Sequence, residues 1–175
     1  MKNTVKITNL AMLLTFAVAI HFVENLVPLP IPVPGAKIGL ANIITLLALL
    51  LYGLRSGLII AAGRSILGSL LIGSFMGFGF WLSFLASLVS CVAMALFIPL
   101  LRRGSISAVS ISIIGAVFHN LTQLTVAAAI MKNAVLFRGY FPLLVLVAIP
   151  TGLLTGIATT YLENITRDRL GLLKA

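Results

Sequence analysis

Residues 107–131, SAVSISIIGAVFHNLTQLTVAAAIM, form an apolar run long enough to cross a bilayer, and it carries His119, Asn120 and Gln123 near its middle. An earlier run, RSGLIIAAGRSILGSLLIG over residues 55–73, carries Arg64 in the same way. A spanning helix needs about 20 mainly apolar residues, and backbone in lipid must satisfy its own hydrogen bonds, which leaves helices or closed barrels. Runs of this length and character predict helices. Polar side chains at such depth are costly, by at least ~2.5 kcal/mol for an arginine at a helix centre. They persist where they face protein, a water-filled cavity or a ligand.

Composition supports lipid as the solvent. Of 175 residues, 61% are hydrophobic and 9% charged, where a soluble domain carries about 25% charge. The length accommodates about six spans with short loops, as a single transmembrane domain over residues 1–175. Cys91 is alone inside an apolar run, which excludes an intrachain disulfide and a zinc-ligand pattern. The net charge of +9 does not point to nucleic acid, because the basic residues sit at the ends of apolar runs rather than in a stripe with interleaved aromatics. The first residues, with Lys2, Lys6 and Ala17-Val18-Ala19, loosely imitate a cleavable signal peptide. The apolar stretch nevertheless runs on through Phe22 and Val23.

Six helices are expected, over Val5–Asn25, Lys37–Tyr52, Arg55–Gly73, Phe80–Leu101, Ser107–Met131 and Pro142–Asn164. The alternating prolines of LVPLPIPVPGA (Leu26 to Ala36) cannot continue a helix. Gly53, the glycine-rich GSFMGFG and Arg102-Arg103-Gly104 supply the next breaks. Alternating the sides collects Lys2, Lys6, Arg55, Arg102, Arg103, Arg167, Arg169 and Lys174 on one face of the membrane, against Lys37, Lys132 and Arg138 on the other. Excess Lys and Arg mark the cytoplasmic side, so both termini are expected inside, in a multi-pass protein of a bacterial inner membrane.

His119 and Gln123 are four apart and share a helix face, with Asn120 turned about 100° away. A rise of 1.5 Å per residue puts His119 ~18 Å into its helix and Arg64 ~13 Å into its own, both near midplane. Two readings fit the first group: a polar patch that holds a solute, or an interhelical clasp of the kind His, Asn and Gln make in membranes. Arg64 either grips an anionic group through a bidentate contact or is satisfied by backbone carbonyls and neighbouring polar residues. The chain has three acidic residues, Glu24, Glu163 and Asp168, and none lies at that depth. Asn42 is one turn inside Lys37, which pairs with Glu24 across the proline loop, joins Lys132 and Arg138 in a basic vestibule, or snorkels at the interface. Ala11, Thr15 and Ala19, spaced by four, make a flat stripe on the first helix, and Gly152 and Gly156 another on the sixth. These stripes serve packing within the bundle, or, for the first, docking onto another membrane subunit. A phosphate-cradling loop with a Walker lysine, a metal cluster and a carboxylate pair are all absent from the sequence. Catalysis, cofactor binding and ATP hydrolysis by this chain are therefore not expected.

At KIGLANI (Lys37 to Ile43), Arg64 with Leu67-Gly68, AVFHNLTQL (Ala116 to Leu124) and PTGLLTG (Pro150 to Gly156), the chain resembles a bacterial membrane family. It is called the Gx transporter family and is often labelled heptaprenyl diphosphate synthase component I. That family is similar to the substrate-binding S components of energy-coupling factor transporters, six-helix proteins that dock onto a transmembrane coupling subunit and two ATPases. The resemblance implies an all-α six-span bundle that captures a small molecule in its outer half, beneath the loop after the first helix. It implies docking through Ala11, Thr15 and Ala19, with Thr15 where an S component more often has alanine. The site expected from residues and resemblance together is Lys37, Asn42, Arg64, His119, Asn120 and Gln123. An anionic or phosphate-bearing solute fits it best: a flavin, a vitamin precursor or an isoprenoid diphosphate. The other reading is a noncatalytic membrane partner in isoprenoid, quinone or flavin-linked electron-transfer metabolism. Prenyl synthases of the chain-elongating kind use aspartate-rich motifs, and one aspartate, Asp168, is present here.

Overall fold

A computed structural model describes residues 2–26 and 39–169. The described residues form six helices: α1 (Lys2–Leu26), α2 (Asn42–Tyr52), α3 (Leu54–Ile72), α4 (Phe78–Arg102), α5 (Ala108–Ile130) and α6 (Val135–Arg169). Five are long and apolar enough to cross a bilayer, and α2 is not. Large apolar side chains such as Ile7, Phe16, Leu71, Leu96, Leu146 and Ile157 are exposed on the outer faces, as a bundle dissolved in lipid requires.

Two helices depart from the sequence expectation. α2 begins at Asn42 rather than Lys37, after a turn in which Asn42 N donates to Gly39 O at 2.8 Å. At 1.5 Å per residue its eleven residues extend about 16 Å, roughly half the hydrocarbon core. Asn42 through Leu49 are all buried, and α2 touches each of the other five helices. A helix apolar all round belongs at the centre of a bundle. α6 begins at Val135 rather than Pro142. Asn133 Oδ1 accepts the Val135 N–H at 3.0 Å and closes the local turn that starts it, and Pro142 and Pro150 sit inside the helix. The proline loop and Lys37 lie outside the described residues.

The turns explain the antiparallel order. At Gly53 the backbone has φ +83°, which only glycine adopts freely. Its N–H closes α2 on Leu49 O, and its carbonyl accepts from Gly57 N to open α3. Between α4 and α5, Gly104 at φ +73° lets Ser105 N reach back to Leu100 O, a paired helix end. Ser107 then caps α5 by accepting from Ser110 N at 3.1 Å.

Small residues set the helix spacing. A Cβ on Gly152 would lie 2.5 Å from Ile113 Cα, and one on Gly156 would lie 2.7 Å from Val109 Cα. α6 therefore meets α5 backbone to backbone, and Ser112 and Thr155 share a hydrogen bond of 2.7 Å in the same seam. Cys91 packs on α3, with its sulfur 2.9 Å from where a Gly57 Cβ would stand. Gly152→Ala should cost ~1–3 kcal/mol, the usual cost of overpacking against backbone that cannot yield. Gly139→Ala, with open space around it, should leave the thermal unfolding midpoint in detergent unchanged.

Candidate functional site

Asn42 and Arg64 each stand eleven residues from Gly53, one along α2 and the other along α3. The hairpin therefore brings them to the same height, about 16 Å from its tip. There Arg64 Nη2 donates to Asn42 Oδ1 at 2.7 Å and to Ser87 Oγ of α4 at 3.2 Å. Ser87 also shares a hydrogen bond of 3.0 Å with Ser65 and donates to the Ser83 carbonyl. Arg64 is 2% exposed, and its Nε has no hydrogen-bond partner among the described residues.

Among the described residues the single ion pair is Arg167 with Glu163, at the far end of α6. Glu24 makes no close ion pair with Arg64, although the two charges interact at longer range; its Oε1 accepts the Leu40 N–H at 2.8 Å and fixes the turn that leads into α2. The Arg64 guanidinium is thus bound by neutral oxygens in a low-dielectric bundle. Neutral hydrogen bonds soften the desolvation of a charge but do not repay it, a penalty of several kcal/mol per ion.

The α5 residues divide. Asn120 Nδ2 donates to Leu144 O of α6 at 3.1 Å, which makes it an interhelical clasp. Gln123 is 3% exposed, and neither atom of its amide has a hydrogen-bond partner among the described residues. His119 is buried as well. Ser90 Oγ donates to Gly115 O at 2.8 Å, which fixes the antiparallel register of α4 and α5. That register sets His119 level with Ser87 and hence with Arg64. Of the expected site, Asn42 and Arg64 are in contact and His119 shares their layer. Asn120 is committed to α6, Gln123 lies a turn farther along α5, and Lys37 is outside the described residues. Lys132 and Arg138 are exposed at the end of the bundle where α5 passes into α6.

The sequence reading missed Ser87, which bonds Arg64, and four further buried polar residues. Ser65, Ser69 and Ser83, with His21 of α1, line a pocket of about 230 Å³ between α1, α3 and α4. The i, i+4 repeats Ser65/Ser69 and Ser83/Ser87 on adjacent helices were the available signal. Serine is common enough in membrane helices that neither pair was singled out. Larger apolar grooves open laterally: about 460 Å³ between α1, α2 and α6, and about 540 Å³ between α1 and α3 beside Ala11 and Thr15.

A family model described as heptaprenyl diphosphate synthase component I matches residues 13–162. The chain belongs to that family. The match takes in every residue of the Arg64 cluster and all of α2 to α5. No curated protein and no solved structure matches the chain. The family description names a component of a synthase, which fits a membrane subunit that works beside a partner.

Gln123→Met should raise the thermal unfolding midpoint of the ligand-free protein, because it removes a buried amide whose polar atoms cost ~1–3 kcal/mol unpaired. Asn120→Leu should lower it, through a loss of roughly 0.6–1 kcal/mol of stability, the usual contribution of an interhelical hydrogen bond in a membrane. Parallel melts of the two variants in one detergent check both signs.

Proposed function

We propose that this protein is the solute-capturing membrane subunit of a small-molecule importer, built like an energy-coupling factor S component, and that its solute is an anion held by Arg64. The observation that carries this reading is a guanidinium buried in the bundle core and bonded, among the described residues, to neutral oxygens alone. An anionic group supplies what those oxygens lack, in the geometry for which arginine is suited. Both termini are cytoplasmic by the imbalance of basic residues, and the Asn42 end of α2 faces out. α2 packs as the central helix and completes six membrane segments, although it alone is too short to span.

Docking to a coupling subunit runs through α1. Ala11, Thr15 and Ala19 are exposed, and Ala11 and Thr15 line the groove shared with α3, so another helix can approach closely there. The family description favours a second reading, a noncatalytic membrane partner of a prenyl diphosphate enzyme. Under that reading the protein retains no solute and is isolated with such an enzyme.

Protein isolated gently from its native membrane should release a stoichiometric anionic small molecule on denaturation, detected by mass spectrometry. Arg64→Gln should retain on the order of tenfold less or lower still, the loss expected for one charged hydrogen bond. Wild-type protein that is empty and accompanied by prenyl-metabolising enzymes would transfer the assignment to the second reading. Leucine at Ala11 and Ala19 together should abolish co-isolation of a membrane partner while the bound solute is kept. Solute loss in that variant would remove the stripe from docking.

A further inference from the structure

We infer that the lateral groove between α1, α2 and α6 seats one acyl chain of an anionic phospholipid, with the phosphate head at Lys6 and Tyr52. This goes beyond the reading of Arg64 and does not depend on it, since neither Arg64 nor its partners Asn42 and Ser87 line the groove.

The groove exists because α1 and α6 each approach α2 closely but, among the described residues, not each other. Met12, Leu13, Phe16 and Ile20 form one wall, Leu162 and Ile165 the other, and Ile44 and Leu47 the floor. Its volume is about 460 Å³, and from Asn9 to Ile20 it follows α1 for about 16 Å. A helix at least 10 Å across would need about 1,200 Å³ over that length, so a partner helix does not fit within it. A cavity of about 150 Å³ holds a benzene. The groove therefore takes roughly eighteen carbons, one acyl chain rather than two.

Its polar end sets this groove apart. Asn9, Tyr52 and Thr166 line it near the tip of the α2–α3 hairpin. Asn9 Nδ2 donates to the Tyr52 hydroxyl oxygen at 3.0 Å, and the phenol's own proton has no acceptor among the described residues. The Lys6 ammonium stands 6.0 Å from the centre of the Tyr52 ring and makes no ion pair among the described residues. On α6, Glu163 is taken by Arg167 at 2.8 Å, and Asp168 is turned about 120° from the wall that Leu162 begins. Arg55, Arg102 and Arg103 are exposed at this end of the bundle as well. Basic residues at a membrane surface draw anionic head groups, and tyrosine is suited to a boundary where its ring is in hydrocarbon and its hydroxyl is not. A cation and a phenol donor at the mouth of an apolar slot thus match a phosphate whose hydrocarbon enters the slot. The other lateral grooves lack such an end. The one between α4 and α5 is lined by apolar side chains alone, and in the one between α1 and α3 the Thr15 hydroxyl donates to Ala11 O at 3.0 Å. A lipid seated between α1 and α6 bridges two helices that the protein leaves apart, and so steadies the helix that carries Ala11, Thr15 and Ala19.

The test adds dioleoylphosphatidylglycerol or dioleoylphosphatidylcholine to the full chain in detergent and counts bound lipid by native mass spectrometry. Wild type should hold one phosphatidylglycerol roughly tenfold more tightly than phosphatidylcholine, and Lys6→Gln should remove most of that preference. Tyr52→Phe should weaken both lipids severalfold, because both carry the phosphate. Met12→Trp and Ile165→Trp fill the slot from opposite walls at exposed positions, so that one plugged variant folds even if the other does not. Each should weaken phosphatidylglycerol on the order of tenfold, the loss of about two buried methylenes. Val89→Trp, in the groove between α4 and α5, should bind as wild type. Equal affinity of wild type for the two lipids would overturn the head assignment, and normal binding in both plugged variants would overturn the groove. A dimer in place of the lipid adduct, broken by the same two tryptophans, would overturn the inference in favour of a second copy. Retention of added geranylgeranyl diphosphate with no phosphatidylglycerol bound would overturn it in favour of an isoprenoid diphosphate.

Discussion

A helix of eleven residues buried at the centre of a membrane bundle leaves its first turn where water cannot satisfy it, and much of the architecture answers that constraint. The Leu40 N–H goes to Glu24 of α1, and the Asn42 side chain accepts from Arg64 of α3. Backbone in lipid tolerates such a break only where protein surrounds it, and α2 is touched by all five other helices. Arg64 thus holds the hairpin at mid-bundle through Asn42 and reaches α4 through Ser87. The same contacts leave a positive charge in the core with no close ion pair among the described residues, Glu24 acting on it only at longer range. Arg64 thus combines a structural role with a buried charge.

This dual role bears on how a captured anion would be felt by the rest of the protein. A group that displaced Arg64 or Ser87 would change their bonds to Asn42 and Ser65, and so the fit of α2 against α3 and α4. α1 lies on that same unit, with His21 pressed against Gly68 and Leu14 against Gly63, and it carries the exposed Ala11–Thr15–Ala19 stripe on another face. The α5–α6 seam is different in kind, glycine against backbone with one hydroxyl pair.

How far the sequence carried this picture depends on whether a feature was local. Four long helices, α1 and α3 to α5, and their glycine turns follow from apolar length and turn chemistry, and their bounds fall within three residues of expectation. The start of α2 was misplaced because KIGLA is apolar and reads as helix, whereas Gly39 and the bond from Leu40 N to Glu24 stop it at Asn42. Residues 135–141 read as loop because Pro142 is a natural helix start, yet a proline is tolerated inside a packed membrane helix. The meeting of Asn42 with Arg64 was legible, since both are eleven residues from Gly53. Asn120 was not separable from His119 and Gln123, because its partner is a backbone carbonyl on α6 that no residue pattern reveals.

Arg64 Nε and the Gln123 amide, both without a hydrogen-bond partner among the described residues, weigh differently. A neutral amide left unpaired costs ~1–3 kcal/mol, which a single water can recover. A buried guanidinium costs several kcal/mol per charge, and a water or hydroxyl dipole recovers only part of it. Selection for stability alone would place leucine or methionine at position 64, since well-packed apolar groups commonly match or exceed a buried charge. An arginine in the core with serine and asparagine as its hydrogen-bond partners is therefore the feature on which the proposed anion site rests.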